Sequence, residues 1–422
     1  MKKIEKLENG LMLITHKLPN THSVTISANF RVGSIYENIH NNGISHLVEH
    51  MFFRKLSKLS QSELYLKVQS IGTEIIGKTF HDYMSFTVTV VPKFFLEALE
   101  IISFLYDDFD WSDNEIQLEK NVVLRQIENK SSSYSEWCDG CYLRDTIYST
   151  PIIGTAKNVS SLNSNEINQW KKRFFTASNS CIVITGNIPE QELQFAISRL
   201  NLINKNSFIQ NPIVSKPDNF NKRNKNNRYC FAETDSNLSE AVIYFDVDNN
   251  TDHEAINLLI SLLFEGCGSK LSKEMRENYA VTDDIFPALN LFYGYSNIRV
   301  SYTVSNDLLG RSLELFFDLI KTSKESISKN EYQTSIQFFT ENQFMDLDNP
   351  AKLNSSYAFY DFVIGSVLSE PAEKKEKYEN ISINDLLHCA RQIFTADNIS
   401  FLFETNIDQD IIISITEPLL GF

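Results

Sequence analysis

His46-Leu47-Val48-Glu49-His50 places two imidazoles four residues apart, so on a helix their rings share one face, one turn above the other. Glu49 is three residues from His46 and lies on the same stripe. Leu47, Val48, Met51, Phe52 and Phe53 are apolar, which predicts a buried helix rather than a solvated one. Burying two imidazoles and a carboxylate together is costly unless something binds them, and a divalent metal meets that need. Two neutral histidine nitrogens suit zinc, and the carboxylate beside them can take a proton from a water that the metal activates. The alternative is a pair of core histidines bonded to backbone carbonyls, with Glu49 in an ion pair. That reading suits a lone histidine better than H-x-x-E-H on an apolar helix.

At 422 residues the chain is too long for one compact core, and 42% hydrophobic with 22% charged residues describes an ordinary globular protein. A net charge of -15 argues against a nucleic-acid partner. No run approaches the roughly 20 apolar residues that span a bilayer. Glu5, Glu8 and Asn9-Gly10 interrupt any signal-peptide core after Met1-Lys2-Lys3, so cytoplasmic residence is the expectation. Cysteines 138, 141, 181, 230, 267 and 389 show no disulfide framework. Cys138-Asp-Gly-Cys141 lacks the second pair a zinc site needs and is read as structural, within a helix.

Outward from the metal helix, Ile4 to Thr15 reads as a hairpin about Asn9-Gly10, and Ser23 to Val32 as a strand with Val24, Ile26, Ala28 and Phe30 on one face. Ser60 to Ile71 is predicted helical, Glu74 to Thr79 and Tyr83 to Val91 as paired strands, and Lys93 to Tyr106 and Asp113 to Lys130 as helices. The layout recurs. Asn165-Glu166-Ile167 and Phe175-Thr176-Ala177-Ser178-Asn179 are echoed by Asn384-Asp385-Leu386 and Phe394-Thr395-Ala396-Asp397-Asn398, at an offset of 219 (384 − 165 and 398 − 179). This predicts two related α+β domains, residues 1–205 and 228–422, joined by a polar linker at 206–227.

Leu7-Glu8-Asn9-Gly10-Leu11, Arg31-Val32-Gly33-Ser34 and Gly43-Ile44-Ser45-His46-Leu47-Val48-Glu49-His50-Met51-Phe52-Phe53 together resemble the pitrilysin/insulysin family of metallopeptidases, the inverzincins. Gly268-Ser269-Lys270-Leu271 and Met275-Arg276-Glu277 resemble its second-half motif. The likeness runs nearly end to end and is strongest to the two-domain branch that includes mitochondrial processing peptidase. It implies two homologous αβ sandwich domains, a second chain closing on the first like a clam shell, Zn2+ as cofactor, and peptides that add as a strand to a sheet edge beside the metal. That edge would be Glu74 to Thr79, where the family's N-A-x-T reads Ile76-Gly77-Lys78-Thr79.

Two departures bear on activity. The family's third zinc ligand is a glutamate seven residues after another glutamate; here Glu119 fits the earlier position and Gln126 the ligand, with 126 − 46 = 80 as the family expects. An amide oxygen can coordinate zinc but carries no charge, so affinity should fall and Glu119 could take on more of the role. Glu128 points about 200° round the helix from 126 and is a poor substitute. In the second half the family uses an Arg and a Tyr seven residues later to hold substrate and oxyanion; Arg276 is present, but the later position is Asp283. Tyr279, one turn from Arg276, is a possible replacement.

The expected function is a zinc metalloendopeptidase subunit acting on short or unfolded peptides, such as leader peptides. Glu49 is the expected base, His46, His50 and Gln126 the metal ligands, and Glu119 and Arg276 the supporting residues. The expected partner is a homologous chain supplying an Arg/Tyr pair. The alternative is a weakly active or non-catalytic peptide-binding subunit of such a heterodimer.

Overall fold

The computed structural model describes residues 2–129, 138, 140–143, 146–203, 228–248 and 251–421. The linker expected at 206–227 lies outside them. The chain forms two compact α+β units, Met1–Val214 with Phe344–Leu368, and Ser215–Gln343 with Ser369–Phe422. The division is not the contiguous one expected from the sequence, because residues 344–368 pack with the first unit.

The first unit is built on a six-stranded mixed sheet. Its strands are β1 (Lys2–Lys6), β2 (Met12–Lys17), β3 (Val24–Phe30), β6 (Ile75–Thr79), β7 (Met84–Val90) and β8 (Ser180–Gly186), in the order β1-β2-β8-β3-β7-β6. A separate two-stranded ribbon holds β4 (Lys55–Leu56) and β5 (Leu59–Ser60). The β1–β2 hairpin pairs Ile4 with Ile14, and Gly10 supplies the positive φ of +91° that its turn requires. Strand β6 is the terminal strand, bonded to β7 on one side only. The expected peptide-accepting segment is therefore a sheet edge.

Helices α1 (Ile44–Arg54), α2 (Gln61–Ser70), α3 (Phe95–Ser103) and α4 (Asp113–Asn129) follow the predicted order. They contribute to one core with the sheet face that carries Val24, Ile26, Ala28, Phe30, Phe86 and Ile182. The opposite face of β3 presents Thr25, Ser27 and Asn29, a pattern that reads as solvent-facing, yet these residues are 0%, 1% and 0% exposed. The helix Pro350–Tyr357 and the π-helical turn Ala358–Ile364 cover that face. Asn354 joins them to it: its Oδ1 accepts from Ser27 Oγ at 2.5 Å, and its Nδ2 donates to the carbonyls of Thr25 (3.1 Å) and Val183 (2.9 Å). Nearby, Lys2 Nζ pairs with the buried Asp361 carboxylate at 2.8 Å. Asn354→Ala strands these buried groups, so it is expected to cost about 1–3 kcal/mol, read as a lower urea midpoint with an unchanged slope.

The second unit has a five-stranded sheet of β9 (Tyr229–Glu233), β10 (Leu238–Val247), β11 (Ile285–Phe292), β12 (Tyr295–Ser305) and β13 (Ile399–Thr405), ordered β11-β12-β10-β13-β9. Read from the other end, this order repeats that of β2, β8, β3, β7 and β6, including the parallel pairs β2/β8 and β9/β13. The offset of 219 holds at both ends of the last strand (399 − 180 and 405 − 186). The repeated asparagine does the same work twice. Asn179 Nδ2 donates to Phe174 O at 2.8 Å, and Asn398 Nδ2 to Ile393 O at 2.8 Å, each closing the helix before the strand.

Candidate active site

Helix α1 begins at Gly43, which sits at a φ of +94° and has no side chain with which to cap the helix. Glu37 supplies one instead, accepting from the backbone N–H groups of Gly43 and Ser45, both at 2.8 Å. Burial pushes the Glu37 carboxyl above its ordinary range although these bonds oppose it. The helix is seated by Leu47, Val48, Met51 and Phe52, with the Phe52 ring edge-on to Trp111 at 5.1 Å. That seating leaves His46, Glu49 and His50 together on the flank shared with α4 and β6.

The two imidazole rings lie edge to face with centroids 4.6 Å apart. Gln126 Oε1 stands 3.3 Å from His46 Nε2. Glu119 Oε1 stands 3.0 Å from His50 Nδ1, and its Oε2 accepts from Arg54 Nε (2.8 Å) and Nη2 (2.7 Å). Both Glu119 oxygens are thus engaged away from His50 Nε2. Burial raises the Glu119 pKa, but the His50 and Arg54 hydrogen bonds and the Arg54 charge outweigh it and leave the carboxyl below its ordinary value. Glu128 and Gln126 are both exposed.

Glu49 is 8% exposed. Its Oε2 accepts from Thr79 Oγ1 at 2.5 Å and lies 3.9 Å from His46 Nδ1. Burial lifts its pKa above the usual carboxylate range, and Thr79 and His50 partly offset that. Gly77 explains how edge strand and carboxylate approach so closely. A Cβ there would stand 2.9 Å from Glu49 Oε1 and 2.7 Å from the Phe53 ring. The departure from the family's alanine is therefore matched to the local packing.

The donor chemistry fits zinc. Two donors sharing a tetrahedral zinc at its usual bond lengths stand about 3.4 Å apart, close to the 3.3 Å between His46 Nε2 and Gln126 Oε1. His46, His50 and Gln126 would offer zinc two imidazoles and one amide oxygen, a donor set with no negative charge. Among the described residues no group of three or more His, Cys, Asp or Glu is placed to hold a metal. Cys138 and Cys141 are free thiols.

Arg276 belongs to the second unit, where it is exposed on the π-helical turn Lys273–Asn278 and makes no ion pair among the described residues. Asp283 is also exposed. The Tyr279 ring packs under the Arg311 guanidinium, 4.5 Å from its centroid. The sequence reading passed over Arg54, although its position four residues after His50 on α1 signals it.

Residues 12–154 match Insulinase (Peptidase family M16), and residues 161–338 match Peptidase M16 inactive domain. An "Uncharacterized zinc protease" of Rickettsia bellii (strain RML369-C) is 23% identical over 411 residues, 96% of this chain and 97% of its own. The mitochondrial-processing peptidase subunit beta of Saccharomyces cerevisiae is 24% identical over 192 residues, 44% of this chain and 42% of its own. A protease structure from Helicobacter pylori superposes with a TM-score of 0.81 at 16% identity, covering 96% of this chain and 99% of that one. Among the described residues no helix is long and apolar enough to cross a membrane. With the H-x-x-E-H helix, the two repeated α+β units and both family matches in agreement, the chain belongs to the insulinase-like peptidase family M16.

Proposed function

We propose that the chain is a zinc-dependent endopeptidase subunit that cuts short or unfolded peptides, with His46, His50 and Gln126 as metal ligands and Glu49 as general base. One observation carries the reading: the Glu49 carboxylate lies against the edge strand β6 and beside both histidines, so base, metal donors and strand edge share one place. A peptide adding to β6 brings a backbone carbonyl toward Glu49. When bound, zinc supplies a Lewis acid for that carbonyl and for the attacking water. Glu49 takes the proton from the water and returns it to the leaving amine, while Thr79 steadies its Oε2. Glu119 orients His50, and Arg276 holds substrate, the role that the family resemblance implies.

Gln126→Glu adds the missing anionic donor and is expected to tighten zinc binding by at least about tenfold, since even outer partners of metal ligands are worth 10–100-fold. Native mass spectrometry and chelator competition measure it. Unchanged zinc content and affinity would remove Gln126 from the ligand set.

The neutral amide at position 126 also favours a second reading, a peptide-binding subunit with little activity of its own. On either reading we place a homologous chain as partner and the cytoplasm as the compartment. Zinc content of the purified protein together with cleavage of an unstructured peptide separates the two: zinc with turnover supports the first, peptide binding without turnover the second.

A further inference from the structure

We infer that Arg54 is a positioning residue that makes His50 a metal donor, by clamping Glu119 so that its free oxygen holds the His50 Nδ1 proton. The inference rests on the metal-binding reading above. Arg54 is the last residue of α1, one turn beyond His50, and both reach the same α4 carboxylate. Its Nε and Nη2 form a two-pronged contact with Glu119 Oε2 at 2.8 and 2.7 Å. An ionised carboxylate only accepts, so the 3.0 Å contact from Oε1 requires the proton on His50 Nδ1. The Nε2 lone pair is then free for a metal.

Neutral imidazole in water favours the opposite tautomer, with the proton on Nε2, so this arrangement has to be imposed. Glu119 alone would impose it weakly. A carboxylate that is 6% exposed needs donors for both oxygens, and His50 satisfies only one. Two N–H groups of the guanidinium converge on the other, in a fixed planar geometry that a lysine point charge does not offer. The same clamp keeps both Glu119 oxygens occupied, so the neutral Gln126 is left as the donor from α4.

The test compares the wild-type protein with Arg54→Met and Arg54→Lys at pH 8. Long-range 1H–15N spectra of the metal-free proteins read the His50 tautomer, and zinc titration against a chelator reads affinity. The expected result is Nδ1–H in the wild type, a mixed tautomer and about 10–100-fold weaker zinc in Arg54→Met, and an intermediate Arg54→Lys. His46 signals should stay unchanged, because the Arg54 guanidinium bonds Glu119, whose other oxygen meets His50. Arg54→Met retaining both the tautomer and the affinity overturns the inference. Should that variant fail to fold, an Arg54→Lys protein identical to the wild type in both readouts overturns it equally. Failure of the wild type to bind zinc would instead sink the reading of this site as a metal centre, and the tautomer comparison would still decide the role of Arg54.

Discussion

Glu49→Gln is expected to lower peptide cleavage by about 10²–10⁴-fold, the usual worth of a general base, while zinc stays bound. The substitution preserves shape, and its amide oxygen can still accept from Thr79 Oγ1, which stands 2.5 Å from Glu49 Oε2. Proton acceptance is what disappears. Glu49 is buried against β6, and its Oε2 lies 3.9 Å from His46 Nδ1. The measurement pairs turnover of an unstructured fluorogenic peptide with zinc stoichiometry by native mass spectrometry. Metal lost along with activity would show that Glu49 is a ligand and that the base lies elsewhere.

The second large effect is expected on adding a homologous chain that carries R-x-x-x-x-x-x-Y. One absent oxyanion donor costs about 10²–10³ in rate, so cleavage should rise by that factor when a partner supplies it. The deficit follows from this chain's own residues. Asp283 is an exposed carboxylate where the family has a tyrosine, and a carboxylate repels an oxyanion. Tyr279 already packs its ring under Arg311. The assay compares this protein alone with a mixture containing a homologue encoded beside it. Full turnover by the isolated chain, unmoved by any partner, would contradict the division of labour and turn attention back to Tyr279.

Where local rules decide a feature, the sequence reading and the structure agree closely. Asn9-Gly10 predicts a hairpin, and the register Ile4↔Ile14 follows. Ser60 caps α2 through a reciprocal bond pair with Glu63, and the helix ends just before Gly72, whose φ is +74°. The echo around Asn179 and Asn398 returns as one helix-to-strand turn made twice, closed each time by the asparagine. The reading is weaker where a long-range partner decides. Thr25, Ser27 and Asn29 look like a wet face, and it takes the helix Pro350–Tyr357 to bury them, with Asn354, 327 residues beyond Ser27, accepting from the Ser27 hydroxyl.

The candidate site divides along the same line. One turn of helix was enough to bring His46, Glu49 and His50 together, because i, i+3 and i, i+4 spacing is a property of the chain itself. The 80-residue interval singled out Gln126 on α4 only through family resemblance. Which oxygen of Glu119 meets which nitrogen, that Arg54 takes the other, and that Gly77 lets β6 approach the Glu49 carboxylate were decided by the packing of α1 against α4 and β6. Local spacing is fixed by covalent geometry and helical pitch, whereas those contacts arise between elements far apart in the chain. Their distances are set by side-chain packing between elements, which no periodicity in the chain encodes.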